Sequence, residues 1–317
     1  MYFNYSNMKN RNIFTIAFLF LAAQALCQNY EKIILDQNQP RTGYYLAVKP
    51  AGPIDGVLVL LPGFGESPEN VFPETKLHNT AYSNNILTVI IPFGDKIYAD
   101  GPTISNINRA LEDSIKRFGI AKNKFIIGGF SAGGTIALRY TELCNESPSS
   151  FPIEPKAVFT IDSPIDLFDL WRYFDREIER NFSPVGMAEA RNIKAFLTKD
   201  LKGTPESNPE AYESSSPFHA DLQRAGNERY LKDIPVRVYH DLDIVWQLKN
   251  RRRSLFDNNA ECASELIARL MLMGNDRAEF MIAKTPGYRS NGMRHTHSWS
   301  IVDEVELIQW MKGVLKG

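Results

Sequence analysis

The run from Lys124 to Leu143 constrains this chain more than any other stretch. Lys124-Phe125-Ile126-Ile127 is short, apolar and strand-like, and Thr135 to Leu143 is rich in helix formers. Between them lies Gly129-Phe130-Ser131-Ala132-Gly133, a Gly-x-Ser-x-Gly motif. A strand that passes into a helix through this motif must turn so sharply that the serine backbone is strained. Glycines two before and two after the serine keep side chains from colliding in the turn. The turn holds the hydroxyl clear of the sheet edge, and the helix behind it points its positive end at any negative charge that develops there. Ser131 is therefore read as a nucleophile.

The rest of the chain supplies strands and helices in alternation. Strands are expected at Tyr44–Val48, Gly56–Leu61, Ile86–Ile91, Lys156–Ile161, Val236–His240 and Glu279–Ala283. Helices are expected over Val71–Ser83, over Ile107–Phe118 with Asn106 as its cap, and from about Ser300 to Met311. Continuous apolar strands separated by helices predict an α/β fold, a mostly parallel sheet covered on both faces. From Ser163 to Leu231 the alternation stops, with helical patches and polar loops but no strand. That segment, about 163–231, is read as a helical cap inserted between two strands, within a domain spanning residues 28–317.

Residues 1–27 differ in kind. Lys9 and Arg11 precede the apolar run Ile13–Leu21, and small residues follow up to Cys27. This is the pattern of a cleaved signal peptide, with cleavage after Ala25 or Cys27, and it predicts a secreted or periplasmic protein. A lipoprotein anchored at Cys27 is the weaker alternative, because Gln24 and Leu26 fit its signal poorly. Cys144 and Cys262 then remain, enough for one disulfide or for two buried thiols. With 36 Lys+Arg against 37 Asp+Glu, the charge balance gives no reason to expect a nucleic-acid partner. Arg251-Arg252-Arg253 is read as a solvated face. No Cys/His spacing suggests a metal site, and the chemistry expected needs no cofactor.

A serine hydroxyl needs a base within reach, and the base needs an orienting acid. His297 and His295 both follow the last strand, in Arg294-His-Thr-His-Ser-Trp-Ser300; His297 is preferred as the base, with His295 the alternative. His78, His219 and His240 are given packing or structural roles. Asp243, in the loop after Val236–His240, is preferred as the acid, because its carboxylate has room to turn toward the histidine. Asp241 and Asp162 remain as alternatives. Asp241 is suited to local backbone contacts, and Asp162 ends the strand before the cap. Backbone N–H groups of Ala132 and Phe64 are the candidate oxyanion donors, the second lying in Pro62-Gly63-Phe64-Gly65.

Pro62-Gly-Phe-Gly, Gly129-Phe-Ser-Ala-Gly-Gly134, Asp243 and His297-Ser-Trp together resemble the α/β-hydrolase superfamily, from about Tyr44 to the C-terminus. The chain also resembles exported serine hydrolases and esterases of Bacteroidetes-like bacteria, which share a proline-glycine oxyanion loop, an Asp-x-x-Trp and a His-x-His-Ser-Trp-Ser ending. The resemblance implies the fold, and a serine hydrolase acting on carboxylic esters through a Ser-His-Asp triad and an acyl-enzyme. It implies small-molecule or sugar-ester substrates by analogy alone. A prolyl-oligopeptidase-type peptidase is the enzymatic alternative, and a non-catalytic binding protein on the same fold is the alternative of another class. Trp171, Trp246 and Trp299 are candidate walls of the substrate pocket. The apolar flank Ile165, Leu167, Phe168, Leu170, Trp171 and Phe174 would either line that pocket or form the buried face of a cap helix.

Overall fold

The computed structural model describes residues 29–317, so the expected signal segment 1–27 lies outside the described residues. Eight strands form one sheet: β1 (Glu31–Ile34), β2 (Tyr44–Val48), β3 (Gly56–Leu61), β4 (Ile86–Ile90), β5 (Phe125–Phe130), β6 (Ala157–Ile161), β7 (Val236–His240) and β8 (Ala278–Ile282). Their order across the sheet is β1-β2-β4-β3-β5-β6-β7-β8. β1 and β2 pair antiparallel, as do β2 and β4, and all other neighbours run parallel. β1 is additional to the expected strands. Its pattern, Glu-Lys-Ile-Ile, buries only Ile33, so its apolar signal is weak.

The helices in chain order are α1 (Val71–Glu74), α2 (Leu77–Tyr82), α3 (Gly101–Phe118), α4 (Ala132–Glu146), α5 (Leu167–Arg180), α6 (Pro184–Asp200), α7 (Pro209–Ser215), α8 (Ile244–Arg251), α9 (Ala260–Leu272) and α10 (Glu304–Lys316). Alternation along the central strands sorts two cores. Val57, Val59, Ile127, Val158 and Val238 face one side with Ile107 and Leu111 of α3, Ile136 of α4 and Leu266 of α9. Leu58, Leu60, Ile126, Phe159 and Tyr239 face the other with Leu77 of α2 and Leu307, Ile308 and Met311 of α10. Apolar residues on both faces are what a parallel sheet covered by helices requires.

Three boundaries differ from the sequence reading. α3 begins six residues before Ile107, because Asp100 caps it by accepting from the Thr103 N–H, and Pro102 suits a first turn. The helical segment expected from Val71 to Ser83 is broken at Thr75, whose φ of −146° and ψ of 155° are extended. The closing helix starts at Glu304, capped by Asp303, behind a short 3-10 turn at Trp299–Ile301.

Three helices, α5, α6 and α7, fill the connection between β6 and β7. Leu167, Leu170, Trp171 and Phe174 of α5 pack with Ala190, Ile193 and Leu197 of α6 and Tyr212 of α7 in a third apolar cluster. Asp166 caps α5, and Ser183 with Pro184 starts α6. Lys96, in the loop after β4, pairs with Asp200 at the end of α6 at 2.8 Å and with Asp100 at 2.7 Å. Cys144 and Cys262 are both free and buried. Among the described residues no helix is long and apolar enough to cross a membrane.

The β5–α4 turn depends on its glycines. A Cβ on Gly133 would stand 2.1 Å from the Pro62 carbonyl oxygen and 2.2 Å from that of Leu61, both rigid backbone. A Cβ on Gly129 would stand 2.4 Å from the Gly133 carbonyl carbon. Gly133→Ala is therefore expected to cost about 2–4 kcal/mol of stability in chemical denaturation, as overpacking against backbone does. Gly101→Ala, with open space around it, is expected to change stability by less than about 1 kcal/mol. Equal effects of the two would contradict this account of the turn.

Candidate active site

The parallel strands end on one edge, where ligands gather in folds of this kind. Ser131 follows β5 directly, with φ 54° and ψ −126°, a strained conformation for a residue with a side chain. Its N–H donates to the Ile161 carbonyl at 2.9 Å, which extends the β5–β6 pairing by one residue and fixes the turn. Asp162 follows β6 in the same way, with φ 44° and its N–H donating to the Tyr239 carbonyl at 2.9 Å. The first N–H groups of α4 have no acceptor within the helix, so the Ala132 N–H is available at the serine. Phe64, 41 % exposed, lines the same cavity as Ser131 and Ala132. The preceding residue is pinned, the Gly63 N–H donating to Glu66 Oε2 at 2.8 Å.

Asp243, expected as the acid, makes no hydrogen bond to His297. Asp243 caps α8, accepting from the Trp246 N–H at 2.9 Å, and its second oxygen accepts from Arg294 at 3.0 Å. That N–H contact, then Arg294, holds its carboxyl below the usual range. Asp241 accepts from the Gly287 N–H at 2.9 Å and pairs with Arg294 at 2.8 Å. Both carboxylates thus anchor the loop that carries the histidines, and neither makes a hydrogen bond to His297. The carboxylate that does is Asp162, with Oδ2 2.7 Å from His297 Nδ1. The reason is positional: β6 stands next to β5, so a residue ending β6 is one strand from Ser131, whereas the loop after β7 is drawn off by Arg294.

Asp162 has more than one partner. His240 Nδ1 lies 3.2 Å from its Oδ1, and Asn259 Nδ2 donates to its carbonyl at 2.9 Å and its Oδ1 at 3.2 Å. Its side chain is 14 % exposed. Burial pushes the carboxyl up, but His297 and His240 outweigh burial and hold it below its usual range. His240, buried at the end of β7 and stacked at 5.3 Å on Phe280, is thus a second imidazole on the same carboxylate. Sequence reasoning gave it a structural role. The available signal was its register, one strand beyond Asp162 at the same sheet edge.

His297 is set by its loop. Its ring packs on Phe130, with centroids 4.5 Å apart, and its backbone N–H donates to His295 Nδ1 at 3.0 Å. Thr296 is buried and accepts from Gln247 of α8 at 2.6 Å. His295 lies against Arg251, and among the described residues no carboxylate hydrogen-bonds its ring. Burial, then His297 and Arg251, push its pKa down to about 3, so it is neutral at ordinary pH.

A cavity of about 370 Å³ opens over Ser131, a size suited to a small molecule. Ser131, Ala132, Asp162, Phe64, His295 and His297 all line it. The three tryptophans expected as its walls do not. Trp171 packs inside the cap on Tyr212, Trp299 is fully buried behind Phe130, and Trp246 lies against Arg294 and His295. The cap instead contributes Leu170, Tyr173, Phe174 and Ile193. The expected flank therefore splits: Leu167 and Trp171 serve the cap core, while Leu170 and Phe174 also reach the cavity. Among the described residues no group of three or more His, Cys, Asp or Glu is arranged to hold a metal ion.

A lowered imidazole pKa in the folded state links protonation to unfolding. Unfolded His295 takes up a proton near pH 6.5, whereas the folded ring does not until about pH 3. Its contribution to stability is therefore full above about pH 6.5 and is lost as pH falls toward 3. Asp162 adds a similar loss only below about pH 4, where an unfolded aspartate protonates. His295→Gln is expected to flatten the fall in unfolding free energy between pH 6.5 and 4 by about 3 kcal/mol. Denaturant titrations across that range check this, and an unchanged slope contradicts it.

No family model and no curated protein matches the chain. Solved structures do. A carboxyl esterase 2 from the mycorrhizal fungus Tuber melanosporum is similar with a TM-score of 0.57 at 14 % identity, over 92 % of this chain and 85 % of that one. A Pyrobaculum calidifontis esterase is similar with a TM-score of 0.55 at 15 % identity, over 100 % and 95 %. An esterase of the bacterial hormone-sensitive lipase family is similar with a TM-score of 0.53 at 17 % identity, over 91 % and 83 %. Taken with the mostly parallel sheet and the Ser131 turn, these likenesses assign the chain the α/β-hydrolase fold.

Proposed function

We propose that this protein is a serine hydrolase of carboxylic esters. The observation that carries the reading is the His297–Asp162 contact of 2.7 Å in the cavity that Ser131 opens into. Ser131 Oγ attacks the ester carbonyl while His297 Nε2 takes its proton. Asp162 holds the imidazole by Nδ1 and stabilises the cation that forms. The N–H groups of Ala132 and Phe64 donate to the oxyanion of the tetrahedral intermediate, a contribution of about 3 kcal/mol per donor in such sites. His297 returns the proton to the departing alcohol, leaving the acyl group on Ser131. Water, deprotonated by His297, then releases the acid and restores the serine.

The likeness to esterases supports the ester specificity as a fold-level analogy, and the assembled side chains support the reaction type. His240 and Asn259 are assigned a positioning role through Asp162.

Steady-state hydrolysis of 4-nitrophenyl acetate and labelling by a fluorophosphonate probe test the reading together. Ser131→Ala is expected to abolish both, and Asp162→Asn to lower kcat by about 10⁴, as loss of the orienting acid does elsewhere. Asp243→Asn is expected to cost less than about tenfold, acting through the loop it anchors rather than on the imidazole. Probe labelling that survives Ser131→Ala, or a larger loss from Asp243→Asn than from Asp162→Asn, contradicts the assignment.

A further inference from the structure

The cavity lining is chemically mixed. The cap contributes apolar Leu170, Phe174 and Ile193, and the segments outside the cap contribute three arginines, Arg251, Arg253 and Arg289, of which Arg253 lies over the cap's Tyr173 ring at 4.9 Å. The run Arg251–Arg253 was expected to be a solvated face, yet only Arg252 points away from the cavity, over the Phe182 ring. The three cavity arginines are not equally neutralised. Arg253 pairs with Glu177 at 3.1 Å. Asp257, which also lines the cavity, is held by Arg176 at 2.8 Å and Arg180 at 2.6 Å. Arg251 Nη2 lies 2.7 Å from His295 Nε2 and its guanidinium 5.7 Å from the Trp246 ring; among the described residues no carboxylate pairs with it. Arg289 lies over Phe130 at 5.1 Å and has one carboxylate near it, Glu66 at 3.9 Å, beyond hydrogen-bonding distance. Glu189 also lines the cavity, but it is exposed to water, which screens it.

One guanidinium with no carboxylate partner among the described residues, Arg251, and one with only a 3.9 Å ion pair to Glu66, Arg289, both at the lining of the cavity that holds the nucleophile, leave positive charge that a ligand can meet. Phe130 links Arg289 to the site, since the same ring packs on His297. Arg251 is linked to it through His295, whose Nδ1 accepts from the His297 N–H. Each arginine presents planar, charge-assisted donors matched to an anionic oxygen pair.

We infer that the substrate of this site is an ester that carries an anionic oxygen group, bound by Arg251 and Arg289 while the ester carbonyl lies at Ser131. Carboxylate, sulfate and phosphate share this chemistry. The inference rests on the ester-hydrolase reading. It specifies an apolar part of the substrate against the cap and an anionic part against the arginine wall.

Matched esters that differ only in charge test it. On the alcohol side, 4-acetoxybenzoate is compared with methyl 4-acetoxybenzoate, and 4-acetoxyphenyl sulfate and phosphate separate the three oxyanions. On the acyl side, mono-4-nitrophenyl glutarate is compared with 4-nitrophenyl pentanoate after subtraction of spontaneous hydrolysis. The anionic member is expected to have the higher kcat/KM on at least one side by about tenfold, the factor one charge-assisted hydrogen bond carries. That preference is expected to reside in KM and to shrink with added salt. Arg251→Gln and Arg289→Gln are each expected to reduce the anionic-to-neutral ratio, and the double variant to bring it close to one; Arg252→Gln is expected to leave the ratio in place. A preference for the neutral member on both sides, or a ratio unchanged in the double variant, overturns the inference while hydrolysis of the neutral esters upholds the hydrolase reading. If no ester is turned over, that reading fails instead. Calorimetric binding of 4-acetoxybenzoate to Ser131→Ala then decides the arginine wall: about tenfold weaker binding with Arg251→Gln added supports it, and no change overturns it.

Discussion

A largely secluded carboxylate at the end of β6 has to be paired, and the pairing of Asp162 gathers the rest of the site around it. Its two oxygens and its carbonyl engage three separate segments: His297 from the loop after β8, His240 at the end of β7, and Asn259 just before α9. Leaving a largely secluded carboxylate without hydrogen-bond partners is costly, so the contacts that hold this charge also hold these segments in register. Arg294 works alongside them, tying the histidine loop to the end of β7 through Asp241 and Asp243. The imidazole is therefore located from both ends of its loop, and Phe130 closes the third side.

The cap joins this arrangement without taking part in the charge network around Asp162. Its apolar face has two duties, making its own cluster with Trp171 and Tyr212 and presenting Leu170 and Phe174 to the cavity. The rest of the cavity lining comes from α8, the segment leading to α9, and the histidine loop, which contribute Arg251, Arg253 and Arg289. Apolar side chains from the cap and cationic ones from these segments thus line one cavity.

Much of the fold was legible because parallel strands buried on both faces read as uninterrupted apolar runs, as in Val57–Leu61 and Phe125–Ile127. The Ser131 turn was legible because a Cβ at Gly129 or Gly133 would stand only 2.1–2.4 Å from backbone atoms. The acid was not. Asp162, Asp241 and Asp243 all follow strands, and local sequence does not reveal that Arg294, about fifty residues later, claims two of them. The arginine wall was hidden for a related reason. Arg251, Arg252 and Arg253 look alike in a charge run, and only the αL conformation of Arg252, with φ 52° at the end of α8, turns the middle one outward. The tryptophans were misplaced because an aromatic flanking a site in sequence can pack behind it, as Trp299 does behind Phe130.

The claim on which the account turns is that Asp162, and not Asp243, holds His297. The most direct measurement is the imidazole N–H proton spectrum of protein labelled with 15N at histidine, with the His297 Nδ1–H assigned by its loss in His297→Gln. A proton hydrogen-bonded to a buried carboxylate is shifted downfield and exchanges slowly with water. The account predicts that this resonance persists in Asp243→Asn and disappears or moves strongly upfield in Asp162→Asn. Persistence in Asp162→Asn together with loss in Asp243→Asn would contradict it.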